Sequence, residues 1–104
     1  MRANRIDQNQ PEIVKQFRDF GCSVLIIADL KNACDLIVSK HGRSIFVELK
    51  DGKKPPSARK LTPGETKFKS VTLGIWRLVE TEKDAQNVIN ELNSTLAIPM
   101  RWDK

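Results

Sequence analysis

The feature that most restricts this chain is a pair of apolar runs hinged on a short polar link. Asp35-Leu36-Ile37-Val38 and Ser44-Ile45-Phe46-Val47-Glu48-Leu49 flank Lys40-His41-Gly42-Arg43. Runs of this length, rich in β-branched and aromatic residues, read as strands, and a Gly-containing link between them reads as a hairpin turn. Side chains two apart on a strand share a face, so Glu48 and Lys50 project together from the end of the second strand. If His41-Gly42 is a two-residue turn closed by Lys40 and Arg43, the register sets Asp35 directly opposite Glu48. A four-residue loop keeps that register, and a three-residue loop breaks it.

The rest of the chain supplies the elements that would cover such a hairpin. Pro11 suits a first helical position, Ile13, Val14, Phe17 and Phe20 recur at helical spacing, and Gly21 supplies a stop. Cys22 to Ala28 is a short apolar run that predicts a buried strand, followed by a polar loop over 29–33. Residues 51–60 carry Gly52, Pro55, Pro56 and Ser57, which disfavour a regular element and predict an exposed basic loop. Thr62-Pro63-Gly64-Glu65 is a capping box that opens a short helix, ended by Gly74 at the latest. Ile75 to Val79 reads as a strand. A last helix runs from Thr81 to about Leu92, with Ala85, Val88, Ile89 and Leu92 on one face and Thr81 and Asp84 repeating the capping pattern. The tail from Ser94, with Pro99 and Trp102, has no clear period. This order predicts an α/β sandwich with a mixed central sheet of about four strands flanked by helices.

A chain of 104 residues closes one core, so 1–104 reads as a single domain with 1–8 and 94–104 as peripheral tails. The 39% hydrophobic and 30% charged residues exclude a disordered chain. Lys and Arg number 18 against 13 Asp and Glu, a formal charge of +5 that favours a polyanionic partner without establishing one. Cys22 and Cys34 lack metal-ligand spacing and read as buried thiols in a reducing cytoplasm. The polar start has no apolar secretory core, and no stretch is long enough to span a membrane, so a soluble cytoplasmic protein is expected.

Two carboxylates directly opposed across an antiparallel pair, with Cβ atoms roughly 4.5–5.5 Å apart, repel unless something lies between them. A divalent cation resolves this: one or two carboxylates with retained waters suit Mg²⁺, which can make hydroxide available and neutralise charge on a phosphoryl oxygen. Lys50 alongside can orient or deprotonate the attacking water, or offset charge in the transition state. Glu48-Leu49-Lys50 alone would more often be a strand-end ion pair. What raises it is the conjunction with Asp35 in a register that brings all three together.

Cys34-Asp35-Leu36-Ile37-Val38, Gly42-Arg43, Phe46-Val47-Glu48-Leu49-Lys50-Asp51-Gly52, Pro55-Pro56-Ser57 and Leu61-Thr62-Pro63 together resemble the virus-type replication-repair nuclease domain, a branch of the PD-(D/E)XK nucleases. With the first helix and the last strand and helix, the resemblance covers nearly the whole chain. It implies a restriction-endonuclease-like fold, with Mg²⁺ or Mn²⁺ held by Asp35, Glu48 and the Leu49 backbone carbonyl, and Lys50 as the catalytic lysine. It also implies a homodimeric nuclease acting on branched DNA such as four-way (Holliday) junctions, in a phage or prokaryotic setting.

The chain departs from the family at two points. Cys34 stands where a proline usually precedes the aspartate, where proline contributes stiffness and no ligand. Glu65 stands where a glutamine is often found; it reads as a helix cap, with a place near the metal as the other option. Glu12 matches a first-helix acid that supplements the metal site in many relatives, or is a first-turn acid favoured by the helix dipole. Lys53, Lys54, Ser57, Arg59 and Lys60 read as a phosphate-tracking loop, against the alternative of a solvated loop. His41 is given no catalytic role, and Phe46, Phe68 and Trp76 are expected in the core. A metal-dependent DNA endonuclease is thus the leading expectation. A non-catalytic nucleic-acid-binding module of the same fold is the alternative, and a base-specific restriction or mobile-element enzyme, for which the chain has little room, ranks last.

Overall fold

A computed structural model of the chain describes residues 7–94; Arg2, Arg5, Pro99 and Trp102 lie outside the described residues. The elements are α1 (Gln10–Asp19), β1 (Ser23–Ile26), β2 (Leu36–Lys40), β3 (Arg43–Leu49), α2 (Pro63–Val71), β4 (Ile75–Val79) and α3 (Glu82–Asn93). They build one mixed sheet in the order β1-β2-β3-β4, antiparallel at the first two junctions and parallel between β3 and β4. With helices on both faces this is the α/β sandwich expected from the sequence.

The β2–β3 turn holds His41 at φ 57° and Gly42 at φ 77°. Positive φ at both central residues is what a type I′ hairpin turn needs to match the twist of its strands. Pairing from Lys40↔Arg43 to Leu36↔Val47 follows without slippage. A parallel return from β3 to β4 requires a crossover, supplied by residues 50–74. Part of the basic loop, expected to be irregular throughout, winds into a 3₁₀ turn at Pro56–Ala58. The proline-fixed φ of Pro56 suits the start of such a turn, which is too short to show a period in the sequence.

Strand alternation sorts side chains to two unlike faces. Leu36, Val38, Ile45, Val47, Leu49 and Val79 point to one face, where they pack in one cluster with Ile13, Val14 and Phe17 of α1 and with Ala85, Val88, Ile89 and Leu92 of α3. Each fully buried aliphatic side chain there contributes about 1.5–3 kcal/mol. Arg77 shares this face, 2% exposed. Its guanidinium is clamped by Glu91, with Nη2 donating to Oε2 at 2.8 Å and Nε to Oε1 at 3.0 Å, so the buried charge is neutralised in a fork geometry.

The other face carries a transverse row, Leu25, Ile37, Phe46 and Trp76, one residue from each strand. Helix α2 covers it only in part and buries none of its own residues. Phe68 meets Phe46 edge-on at 5.3 Å, and the Lys69 ammonium stands 4.7 Å from the Trp76 ring centre. The aromatics expected in the core therefore lie half-buried on this second face. Strand β1 also differs from expectation. It is an edge strand with Leu25 59% and Ile26 47% exposed, because an apolar run predicts a strand but not its place in the sheet order.

Both predicted helix caps form, one with altered wiring. In α2 the Thr62 amide donates to Glu65 Oε1 at 2.8 Å and the Glu65 amide to Thr62 Oγ1 at 3.2 Å. In α3 the Asp84 amide donates to Thr81 Oγ1, but the Asp84 carboxylate accepts from the amide of Glu80 rather than of Thr81.

Candidate active site

The hairpin ladder ends at Leu36↔Val47, and Asp35 immediately precedes it, on the Glu48 side of β3. The Asp35 amide donates to the Val47 carbonyl at 3.1 Å, and its Oδ2 accepts from the Leu49 amide at 2.7 Å. Asp35 is thereby tied to β3 through both its backbone and its side chain. Glu48 lies on the half-covered face, yet it is only 2% exposed. The two carboxyl groups are hydrogen-bond partners. Burial first, then the facing Asp35, pushes the Glu48 carboxyl well above the usual carboxylate range, and burial raises Asp35 as well. The pair therefore favours holding a proton over carrying two charges. Glu48 Oε1 is still left buried with no hydrogen-bond donor.

Lys50 completes the group at the point where β3 ends. Its ammonium donates to Glu65 Oε1 at 2.9 Å, with the two side chains 12% and 22% exposed. Burial alone would lower the Lys50 pKa, but its hydrogen bond and attraction to Glu65, helped by Glu48, carry it upward. Burial opposes ionisation of Glu65 too, and is outweighed by hydrogen bonds from Lys50 and the Thr62 amide, which leave its carboxyl below the ordinary value. Glu65 is thus both the cap of α2, as the sequence predicts, and the ion-pair partner of Lys50. The spacing of a capping box carries no information about that second contact.

The strand ends around Lys50 are braced on three sides. The Lys50 amide donates to the Val79 carbonyl at 3.1 Å, and Asn9 Nδ2 donates to the Lys50 and Glu80 carbonyls at 3.2 and 3.4 Å. A Cβ on Gly52 would meet the Glu80 carbonyl oxygen at 2.6 Å, so the basic loop leaves the strand by a path open only to glycine. Within that loop Arg59 is committed internally, donating to Glu80 Oε2 at 3.0 Å and to the Lys54 carbonyl at 2.8 Å. Lys53, Lys54, Ser57 and Lys60 are exposed beside it.

Two acids near the start of α1 exchange places relative to expectation. Glu12 is exposed in the first turn and lines a hollow with Lys15, Gln16, Asp19 and Glu82 rather than the carboxylate pair. Asp7, in a segment read as a peripheral tail, is half-buried and lies within the electrostatic reach of Asp35, Lys50, Lys54 and Asp51. Burial, then the Asp35 charge, raises its pKa. No periodicity marks Asp7; the nearest signal is Asn9, whose side chain fastens this segment to β3 and β4. Cys34 is buried and free, its Sγ donating to the Leu36 carbonyl at 3.3 Å. Burial first, then Glu48 and Asp35, pushes its thiol up to about 12, which makes it unreactive.

Among the described residues no group of three or more His, Cys, Asp and Glu side chains is placed to hold a metal ion. A two-carboxylate site does not need such a group, since Mg²⁺ keeps several waters and takes one or two protein carboxylates. The orphaned buried oxygen of Glu48 and the carboxyl contact it makes with Asp35 fit a hard cation in place of the shared proton. Comparison with protein-family models, with curated proteins and with solved structures finds no match to the chain.

Proposed function

We propose that this chain is a divalent-metal-dependent endonuclease that hydrolyses DNA phosphodiester bonds, with branched DNA such as a Holliday junction as its preferred substrate. The observation that carries the reading is the buried, opposed pair Asp35 and Glu48, one oxygen unpartnered, with the Lys50 ammonium beside it at the end of the same strand. Asp35, Glu48 and the Leu49 carbonyl would hold Mg²⁺ or Mn²⁺. Bound there, the ion supplies a hydroxide at neutral pH and neutralises charge growing on the phosphoryl oxygens.

The remaining work falls to the chain itself. Lys50, as an ammonium, orients the attacking water and offsets negative charge as the water oxygen bonds to phosphorus and the water's proton passes to solvent. The phosphorus–oxygen ester bond breaks on the opposite side, and the departing oxygen gains a proton from solvent. Lys53, Lys54, Ser57 and Lys60 hold flanking phosphates, while Arg59 shapes the loop through Glu80. Glu12 has no part in this scheme. No described helix is long and apolar enough to cross a membrane, and we place the protein in the cytoplasm of a phage-infected or prokaryotic cell. One site per chain cuts one strand, so resolution of a junction calls for a homodimer.

A non-catalytic DNA-binding module of the same fold is the second reading, against which the intact Asp35, Glu48 and Lys50 weigh. Labelled four-way junction, splayed-arm, linear duplex and single-stranded DNA, each with Mg²⁺, Mn²⁺, Ca²⁺ or EDTA, decide between them. Metal-dependent cutting of the junction that Asp35→Ala lacks supports the nuclease. Binding without cutting under every metal establishes the module.

A further inference from the structure

Lysine is a flexible four-carbon stem carrying a point charge, so a lysine that must meet one water in one place needs an anchor. Such an anchor has to be stiffer than the lysine. Glu65 Oε1 accepts from the Thr62 amide at 2.8 Å and from Lys50 Nζ at 2.9 Å. The first bond belongs to a reciprocal capping box whose other half, Glu65 N to Thr62 Oγ1, is also made. One oxygen, fixed by the backbone geometry of a helix start, therefore holds the lysine of β3.

The start of α2 is itself held in place. A Cβ at Gly64 would overlap the Asn32 side chain, so α2 begins in close contact with the β1–β2 loop, which leads directly into Asp35. Asn32 sits at φ 60°, a left-handed conformation that asparagine tolerates. The cap oxygen that meets Lys50 is thus referenced to the strand carrying Asp35. Lys50 and Asp35 are located relative to one another through α2 as well as through the hairpin.

We propose that Glu65 is the positioning residue for Lys50, turning the N-cap of α2 into the element that sets where the ammonium stands over the carboxylate pair. The role rests on the nuclease reading and adds to it a residue that does not itself touch the reacting atoms. The chemistry makes a definite demand on substitution. A capping box works with Gln as well as Glu at this place, and a glutamine carbonyl can accept from both the Thr62 amide and the Lys50 ammonium. Alanine can accept from neither. Thr62→Ala removes the hydroxyl half of the cap and leaves the Glu65 contact with Lys50 intact.

The test compares wild type, Glu65→Ala, Glu65→Gln, Thr62→Ala and Lys50→Ala in the full chain. Single-turnover cleavage of a four-way junction in Mg²⁺, junction affinity, thermal unfolding and the ¹⁵N-detected lysine ammonium spectrum without metal are recorded for each. Glu65→Ala should lower the cleavage rate about 10- to 100-fold, the scale of a small misplacement of a reacting group, with junction affinity unchanged. Glu65→Gln should stay within about threefold of wild type, because a neutral acceptor keeps roughly half the strength of the charged one. Thr62→Ala should lose stability like Glu65→Ala but keep its rate.

The Lys50 ammonium signal, slowed in exchange by its partner, should persist in Glu65→Gln and Thr62→Ala and vanish in Glu65→Ala. A Glu65→Ala protein that cleaves as fast as wild type, or faster, overturns the positioning role while leaving the nuclease standing. Equal losses in Thr62→Ala and Glu65→Ala also overturn it, since they assign the effect to helix stability. A wild type that cuts nothing overturns the nuclease reading and the role with it.

Discussion

The two faces of the sheet are made from the same four strands and do opposite things. On the face under α1 and α3, Leu36, Val38, Ile45, Val47, Leu49 and Val79 are all at 0% exposure, and the buried Arg77 is neutralised by Glu91. On the face under α2, apolar residues are half-exposed and the most deeply buried side chain is a carboxyl, Glu48, with an unpartnered oxygen. Alternation within β3 alone puts Val47 and Leu49 on the first face and Glu48 on the second. Stability is concentrated on one side of a single strand, and unresolved electrostatic demand on the other. The molecule can afford a strained carboxyl pair because the strand beneath it is anchored independently.

That division is easiest to break with substitutions on neighbouring residues of different faces. Asp35→Ala should abolish junction cleavage and Lys50→Ala should lower it about 10²–10⁴-fold, the usual contribution of a positioned acid–base group. Both should bind the junction as wild type does, because binding rests on phosphate contacts by the basic loop. Gel-shift and cleavage series on the same preparations check this, and undiminished cutting by either variant would remove it from the site. Ile45→Ala, on the other face, should cost about 2–5 kcal/mol in urea unfolding, with the cleavage rate per folded molecule unchanged. A rate that fell with Ile45→Ala in fully folded protein would mean that the two faces are not separable.

A prediction of intermediate size concerns pH and metal. Glu48 has its folded-state pKa raised above the ordinary 4.5, chiefly by burial. The folded protein therefore binds more protons than the unfolded chain above pH 4.5, and metal-free stability should fall as pH rises through that region. Below pH 4.5 the contribution is fully present. Mg²⁺ replaces the proton as the neutralising charge, so it should stabilise increasingly toward alkaline pH, by about 2.7 kcal/mol at a hundredfold excess over its Kd. Glu48→Gln should flatten the pH dependence and remove the response to Mg²⁺. Melting curves from pH 4 to 9 in Mg²⁺ and in EDTA test both, and a metal-free stability that rose with pH would contradict the shared-proton pair.

The sequence made the hairpin and the nearness of Asp35, Glu48 and Lys50 legible because both rest on local rules. Positive φ at His41 and Gly42 fixes the register, and the register ends where Asp35 bonds to Val47 and Leu49 on either side of Glu48. The capping boxes and helix faces were legible for the same reason. What was not legible depends on the order of strands or on contacts between distant segments. The exposed edge position of β1 and the half-buried row of Phe46 and Trp76 follow from which strand lies outermost and how much of a face a short helix can cover. The bond from Lys50 to Glu65 joins β3 to α2 across the basic loop, and no spacing rule anticipates it.

Asp7 and Glu12 give the smallest expected effect and the sharpest check on how the second face is completed. Both precede or open α1, and the family resemblance favours Glu12. The first turn of α1, however, points Glu12 to solvent beside Glu82, whereas Asn9 bonds to the Lys50 and Glu80 carbonyls and draws Asp7 toward the carboxylate pair. An added negative charge near the pair strengthens its hold on a cation, and for a half-buried group the increment is modest. Asp7→Asn should therefore raise the Mg²⁺ concentration needed for half-maximal cleavage by about 3- to 10-fold, equivalent to roughly 1 kcal/mol. Glu12→Gln should leave that concentration unchanged. Mg²⁺ titrations of cleavage with the two variants side by side decide the matter: an effect confined to Glu12 would return the supplementary acid to the first turn of α1.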